Sequence, residues 1–469
     1  MAGSVALLDP MSIGLRRPDM GRLVHVPHGF ASRQEGASGP FTFAAMHPRS
    51  IGNALVQSIP APFVMSIENG VSATISTRYE NFLIFLAPLI NSVGGIAIDL
   101  YAPSIPSIGK EFGVNAALMQ NTITITLVFY AIGQLAFGVL ADWRGRRWSV
   151  LLGLLLFLIG SAIAGFSQSY AILMLGRAMQ GFAVGSCQVV ARAVLIDRIK
   201  GERFRVAIVY LSLAFALAPV LAPYVGGVIE VFAGWRWNFV AYFTYGSIVF
   251  AFALFGLEES LPPEARRKPM KTILGYEEVL RNPQFISATV MLGAGFGAFL
   301  MWSVIGPYIV QIRFGYSASF FGSTALGVGL SYLLGTVLNR SLIKRRSAIQ
   351  LMSLGMKIFA CGILFVISSG LSLHLITVVG GIMLISFAQG FIFSNAMACS
   401  MRMFPSRAGA AASLQGCLMI AIGSMSSAVI SAINIESNLA VAIAFLCLLI
   451  IAFIAFHRFV QGEEKLSYS

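Results

Sequence analysis

Gly138-Val139-Leu140-Ala141-Asp142-Trp143-Arg144-Gly145-Arg146-Arg147 forms a short basic turn between two long apolar segments. In a bilayer a backbone can leave the helix only where water or protein satisfies its N–H and C=O groups. A turn holding one Asp and three Arg therefore belongs at a membrane surface. Gly138 suits a close approach of two helices, and Gly145 suits the tight reversal itself. The chain around this turn is expected to be a bundle of membrane-spanning helices.

Composition points the same way. A chain of 469 residues with 57% hydrophobic and 11% charged residues lacks the polar surface to cover a water-soluble domain. A formal net charge of +13 would suggest a nucleic-acid partner in a soluble protein, but here Lys and Arg cluster between apolar runs. They read as topology signals, and no nucleic acid is expected. Cys187, Cys361, Cys399, Cys417 and Cys447 all fall inside apolar runs, with no C-x-x-C spacing and no partner His, and read as small buried hydrophobes. His25, His28 and His47 precede the apolar segments, while His374 and His457 lie near segment ends. Neither a metal site nor an organic cofactor is implied. No G-x-x-x-x-G-K-[ST] stretch occurs, which leaves proton-motive force as the energy source.

Apolar segments of roughly 20 residues, each long enough to cross about 30 Å of hydrocarbon, recur along the chain. They lie near 82–105, 119–141, 148–167, 170–197, 205–229, 237–257, 286–310, 318–339, 349–369, 374–398, 409–433 and 438–458. Loops after the even-numbered spans hold eighteen Lys and Arg, among them Arg198, Lys200, Arg203, Arg205, Arg266, Arg267 and Lys268, whereas the opposite loops hold Lys110, Arg236 and Arg313. The positive-inside rule then places both termini in the cytoplasm of a multi-pass plasma-membrane protein, a bacterial inner membrane being the expected setting.

Five regions follow. Residues 1–80 are rich in Gly, Ser, Pro and Arg, carry no secretory-signal pattern, and read as a disordered tail. A translation start at Met65 or an organellar transit peptide are alternatives for this stretch. Residues 81–257 make a first six-helix half, 258–285 a charged linker with Pro262 and Pro263, 286–458 a second half, and 459–469 a cytoplasmic tail. A faint repeat supports the division: Gly335, Leu338, Asn339 and Arg340 occupy the relative places of Gly138, Ala141, Asp142 and Trp143, with Lys344, Arg345 and Arg346 just beyond. Parallel halves with a midplane site that opens alternately to each side are what such a repeat implies.

Ionisable groups deep in an apolar span are costly and need a partner, a water-filled cavity or a function. Asp99 in the first span and Arg177 in the fourth both lie roughly 10 Å below the outer surface at 1.5 Å per residue. Were they to pair, a movement that joins and separates them would make the carboxyl take up and give back a proton. The plainer reading is an interfacial Asp99 near a Pro-interrupted helix end and an Arg177 that snorkels. In the fifth span Ala218, Pro219, Ala222, Pro223, Gly226 and Gly227 weaken the helical ladder and admit a close neighbour. Spans seven to twelve contain no acidic residue, so coupling is expected in the first half. The cavity candidates are Asn91, Tyr101, Tyr130, Gln180, Tyr210 and Trp302. A largely apolar cavity with one carboxylate suits amphipathic, often cationic compounds better than sugars.

Gly138 to Arg147 resembles the signature between the second and third spans of the major facilitator superfamily, Gly-x-Leu-Ala-Asp-Arg-x-Gly-Arg-Arg, with Trp143 at the usual first Arg and Arg144 next to it. Asp99-Leu-Tyr-Ala-Pro-Ser-Ile-Pro106 resembles the Asp-Met-Tyr-Leu-Pro-x-x-Pro of the Bcr/CflA-type drug exporters within it. Arg177, Gln180 and Gly181 match that group's Arg-x-x-Gln-Gly motif, and Arg192, Ala193 and Asp197 its Arg-Ala-x-x-x-Asp ending. Ala222-Pro223-x-x-Gly226-Gly227 resembles the exporters' antiporter motif Gly-Pro-x-x-Gly-Gly, and Trp235-Arg236-Trp237 with Phe239 also matches the group. Ser303, Pro307, Tyr308 and Phe314-Gly315-Tyr316 look like its seventh-span region.

The resemblance implies an all-α membrane protein of twelve transmembrane helices in two six-helix halves, a monomer that exports amphipathic small molecules in exchange for protons. Asp99 and Arg177 would carry the coupling. Gly138, Asp142, Arg144, Gly145, Arg146, Arg147, Arg192, Asp197, Pro219, Pro223, Gly226 and Gly227 would serve gating, with Asp142 near a facing helix end and Arg146 and Arg147 at the lipid headgroups. A dedicated exporter of one endogenous metabolite, such as a siderophore or amino-acid derivative, or a transport-inactive membrane receptor would read alike. No enzyme is expected, because no His, Cys or carboxylate cluster is positioned for hydrolysis or redox work.

Overall fold

A computed structural model of the protein describes residues 76–266, 276–372, 374–404, 408–432 and 438–468. The expectations for the tail before residue 76 lie outside them. Among the described residues, twelve helices are long and apolar enough to cross a membrane. They are α1 (Thr77–Asp99), α2 (Ala116–Arg144), α3 (Arg146–Gly165), α4 (Tyr170–Arg198), α5 (Gly201–Ala233) and α6 (Trp235–Gly256), then α7 (Pro283–Pro307), α8 (Ala318–Leu342), α9 (Ala348–Ser372), α10 (Leu375–Arg402), α11 (Ala408–Ser431) and α12 (Asn438–Tyr468).

Local chemistry fixes many of the starts. Ser76, Asn115, Ser169, Asn282 and Ser317 each stand just before a helix and accept a backbone N–H of its first turn through a side-chain oxygen. Pro283 follows Asn282 at the first helical position, where no N–H is needed. The helices outrun the apolar segments because charged and polar residues continue the last turns. Thus α1 begins at Thr77, inside the stretch expected to be tail, and α12 runs on to Tyr468 where a tail was expected from 459. No proline interrupts Gln-Gly-Glu-Glu-Lys-Leu, whose Glu, Lys and Leu are good helix formers.

The first span is broken near its end. α1 stops at Asp99, a 3₁₀ turn covers Ala102–Ser104, and a short helix, Ile105–Phe112, completes the crossing. Pro103 and Pro106 have no N–H to give the ladder, so the backbone leaves the helix here. α7 likewise passes into a π-helical turn, Tyr308–Arg313. α5 stays continuous through Pro219 and Pro223.

Packing repeats along the chain. α1 packs on α4 and α5, α2 on α4, and α4 and α6 on α3; six spans later α7 packs on α10 and α11, α8 on α10, and α10 and α12 on α9. Corresponding crossings use the same device. A Cβ at Gly133 of α2 would lie 2.2 Å from the Phe182 carbonyl oxygen of α4, and one at Gly335 of α8 would lie 2.1 Å from the Phe387 oxygen of α10. Only glycine lets those backbones meet. Between the two sets of six, α5 packs on α8 and α2 on α11, which is again a symmetric pair of contacts.

Candidate functional site

The end of the bundle that carries the Gly138–Arg147 turn is called the basic end below, and the opposite one the far end. Asp99, the last residue of α1, is 1% exposed and accepts a hydrogen bond from Ser303 Oγ of α7 at 3.1 Å. Ser303 lies across the seam between the two sets of six helices. Close by, Gln311 Nε2 donates to the Pro103 carbonyl at 2.8 Å, and Thr124 and Ser427 hydroxyls meet at 2.8 Å. The far end is therefore stitched across the seam.

Arg177 is fully buried and does not pair with Asp99. Its Nη1 donates to the Ala97 carbonyl at 3.0 Å and to Gln180 Oε1 at 2.7 Å, and its guanidinium lies 4.6 Å from the Tyr101 ring centroid. The expected ion pair is absent from this conformation for two reasons. The end of α1 offers a carbonyl within reach, and the Tyr101 face attracts the cation. Tyr242 also donates to the Ala97 carbonyl, at 3.2 Å. Nε and Nη2 of Arg177 have no hydrogen-bond partner, a costly state for a buried guanidinium.

The expected cavity residues mostly sit within the helix packing. Asn91 donates to the Leu211 carbonyl, Tyr101 shares a hydrogen bond with Thr122 Oγ1, Tyr130 donates to Gln188 Oε1, and Gln180 donates to Ser161. Trp302 is buried against Phe321, and Tyr210 is 51% exposed on α5. An open space lies elsewhere among the described residues, between α5, α7, α8 and α10. It is lined by Pro219, Val220, Gly295, Phe296, Phe299, Gly329, Tyr332, Ser386, Gln389 and Phe393, with some 580 Å³ of empty space including its mouth. Of the sequence candidates only Pro219 lines it.

At the basic end Gly145 adopts φ +113°, as the tight reversal requires. Arg146 and Arg147 turn into the protein, where headgroup contact had been expected. Arg146 binds Asp142 at 2.6 Å and Asp197 at 3.1 Å, and Arg147 Nη2 donates to the Leu254 carbonyl at 2.9 Å. The carboxylates and the free carbonyl at the end of α6 supply charge complements that lipid would not. Arg144 stays exposed, its guanidinium 4.6 Å from the Trp143 ring centroid. Gly138 admits Tyr276, from the segment before α7, rather than another helix backbone, since a Cβ there would be 3.3 Å from the Tyr276 hydroxyl. Burial pushes that hydroxyl up to about 12. Arg192 is half-buried on α4, one turn from Gln188.

Three anchors went unread in the sequence. Glu259 accepts from the backbone N–H groups of Arg146 and Arg147 at 2.8 and 3.2 Å, capping α3, and a Cβ at Gly145 would collide with its carboxylate. Ser260 meanwhile donates to Asp197. Glu230 of α5 accepts from Ser104, in the 3₁₀ turn of the first-span break, and from Ser107, in the short helix after it, at 2.5 and 2.6 Å. Its signal lay one residue past the apolar segment drawn to 229. The α5 residues expected to serve gating are wedged between two neighbours. A Cβ at Gly226 would be 1.9 Å from the Leu100 carbonyl oxygen, one at Gly227 2.5 Å from that of Ala318, and Pro223 backs onto Gly322.

The sequence profile of the Major Facilitator Superfamily matches residues 89–428. Among curated proteins, the chain is 28% identical over 356 residues to an uncharacterized MFS-type transporter, YdgK, of Bacillus subtilis (strain 168), covering 74% of this chain and 87% of that protein. It is 28% identical over 383 residues to the multidrug resistance protein MdtL of Escherichia coli O6:K15:H31, covering 79% and 95%. Among solved structures, a partially occluded inward-open form of the xylose transporter XylE from E. coli superposes with a TM-score of 0.65 at 14% identity, covering 82% of this chain and 98% of that one. A bacterial homologue of the human lysosomal transporter Spinster superposes with a TM-score of 0.63 at 16% identity, covering 82% and 99%.

Proposed function

This chain belongs to the Major Facilitator Superfamily, and from that premise we propose that it exports amphipathic small molecules in exchange for protons, in the manner of the Bcr/CflA-type exporters it resembles. The two sets of six helices are the moving halves, residues 81–257 and 286–458 with 258–285 as linker, and both termini face the cytoplasm. The far end then faces outward.

One observation carries this reading: the Asp99 carboxyl is held at a helix end by a hydroxyl from the opposite half. A rocking motion that opens the far end separates Asp99 from Ser303 and admits water, so the group's surroundings differ between the two states. A carboxyl whose surroundings change with conformation couples proton binding to that conformation, because the proton binds the two states unequally. Arg177 of α4, bonded to the Ala97 carbonyl two residues before Asp99 and with Nε and Nη2 unpartnered, is the cation placed to answer a change at Asp99. The 28%-identical MdtL, a multidrug resistance protein by name, favours a drug-like cargo.

The test is dissipation of an imposed pH gradient in everted proteoliposomes, followed with an acridine dye, on adding aromatic probes that are cationic, neutral or anionic. Exchange predicts that at least one probe collapses the gradient in loaded vesicles and leaves empty liposomes unaffected. A gradient untouched by every probe, with binding of a probe shown separately, would reject proton exchange.

A further inference from the structure

The space between α5, α7, α8 and α10 has the makeup of a binding site with narrow chemistry. Phe296, Phe299, Phe393 and Tyr332 supply aromatic faces, with the Tyr332 and Phe393 rings nearly perpendicular at 6.5 Å. No lining residue is charged. Ser386 Oγ is already spent on the Val328 carbonyl.

Gln389 is different. It is 6% exposed, lines the space, and both its Oε1 and its Nε2 lack any hydrogen-bond partner. A buried primary amide left unbonded costs free energy, so a partner offering a donor and an acceptor side by side gains more here than in water. The room for this amide is built into the sequence, since a Cβ at position 295 would lie 1.8 Å from Gln389 Oε1 and only glycine leaves it in place.

We infer that this pocket binds uncharged aromatic compounds bearing a carboxamide or lactam, the ring system packed among Phe296, Phe299, Phe393 and Tyr332 and the amide paired with that of Gln389. A cation finds no counter-charge there and a carboxylate no cation. A sugar finds one free polar side chain where it needs many. The inference rests on the small-molecule export proposed above and narrows its cargo from amphipathic, often cationic compounds to neutral amides.

Binding is measured on the purified full-length chain in lipid nanodiscs, without a pH gradient, with three probes of one size: 2-naphthamide, methyl 2-naphthoate and the 2-naphthyltrimethylammonium cation. The native protein is expected to bind the amide about tenfold tighter than the ester, the amount supplied in a desolvated site by the one hydrogen bond the ester cannot make, its missing N–H to Gln389 Oε1, and the cation weakest. Gln389→Met, which keeps the volume, is expected to bring the amide down to the level of the ester, which itself loses only the bond to its carbonyl and still binds through its ring system. Should the Met variant bind neither, Gln389→Glu takes its place, and the cation should then gain on the amide. Equal binding of amide and ester to the native protein, an amide preference that survives the Met variant, or tightest binding of the cation would overturn the assignment. Because no gradient is involved, such a result leaves proton exchange standing, and loss of proton exchange leaves the amide preference standing.

Discussion

Asp99→Asn is expected to abolish proton-driven accumulation of substrate while leaving substrate binding intact. The side chain is nearly isosteric, and its Oδ1 can still accept from Ser303, so the far-end seam across α1 and α7 keeps its geometry. What disappears is the ability to hold a proton in one state and release it in the other. Removing a coupling of ordinary size lowers gradient-driven accumulation by about tenfold or more. Substrate exchange at equal pH on both sides needs no net proton movement and should persist. A variant that accumulates substrate as the native protein does would remove Asp99 from the coupling path and turn attention to Glu230, the other carboxylate beside the first-span break.

Gly226→Val should damage the protein severely, whereas the same change at Gly380 should pass unnoticed. At Gly226 the new Cβ would lie 1.9 Å from a backbone carbonyl oxygen, that of Leu100, where the first span is already unwound. Neither partner is a flexible side-chain end, so α5 must move away from α1, and overpacking of this kind costs about 1–3 kcal/mol or more. At Gly380 nothing lies within 4 Å of the added carbon. Thermal stability in detergent, read by fluorescence-detected size exclusion, should drop clearly for the first variant and stay level for the second. Matched melting curves would show that α5 and α1 are not packed as described.

Both results rest on features of unequal visibility in the sequence. The number of spans and most of their limits are legible because the bilayer imposes a length and an apolar content on each crossing, and Ser, Asn and Pro mark helix starts locally. The basic turn was legible for the same reason, down to the tight reversal at Gly145, which the structure makes with φ +113°. Its arginines were misplaced, since which carboxylates and carbonyls would meet Arg146 and Arg147 depends on Asp197, Glu259 and Leu254, 51 to 113 residues distant from the groups they bind. Asp99 and Arg177 stood out as charges in apolar runs, but Ser303, 204 residues from Asp99, could be tied to it only by folding.

The open space was the least legible part. Gly295 and Gly329 help make it by the side chains they lack, and Gln389 reads in sequence like any polar residue on a helix. Aromatic and polar residues that looked suited to a cavity, such as Tyr130 and Gln180, found partners inside the packing instead.

The central claim is that proton binding at Asp99 governs which end of the bundle is open. The most direct measurement places spin labels in pairs across the seam, on a chain whose five native cysteines are replaced, and reads distances by pulsed electron paramagnetic resonance in acid and in alkaline buffer. Exposed Phe232 and Ile312 form the far-end pair, and exposed Trp148 and Ile343 the basic-end pair. The account predicts that a change of pH lengthens one distance and shortens the other, and that Asp99→Asn removes the response at both ends. Distances that ignore pH in the native protein, or that lengthen and shorten together, would contradict it.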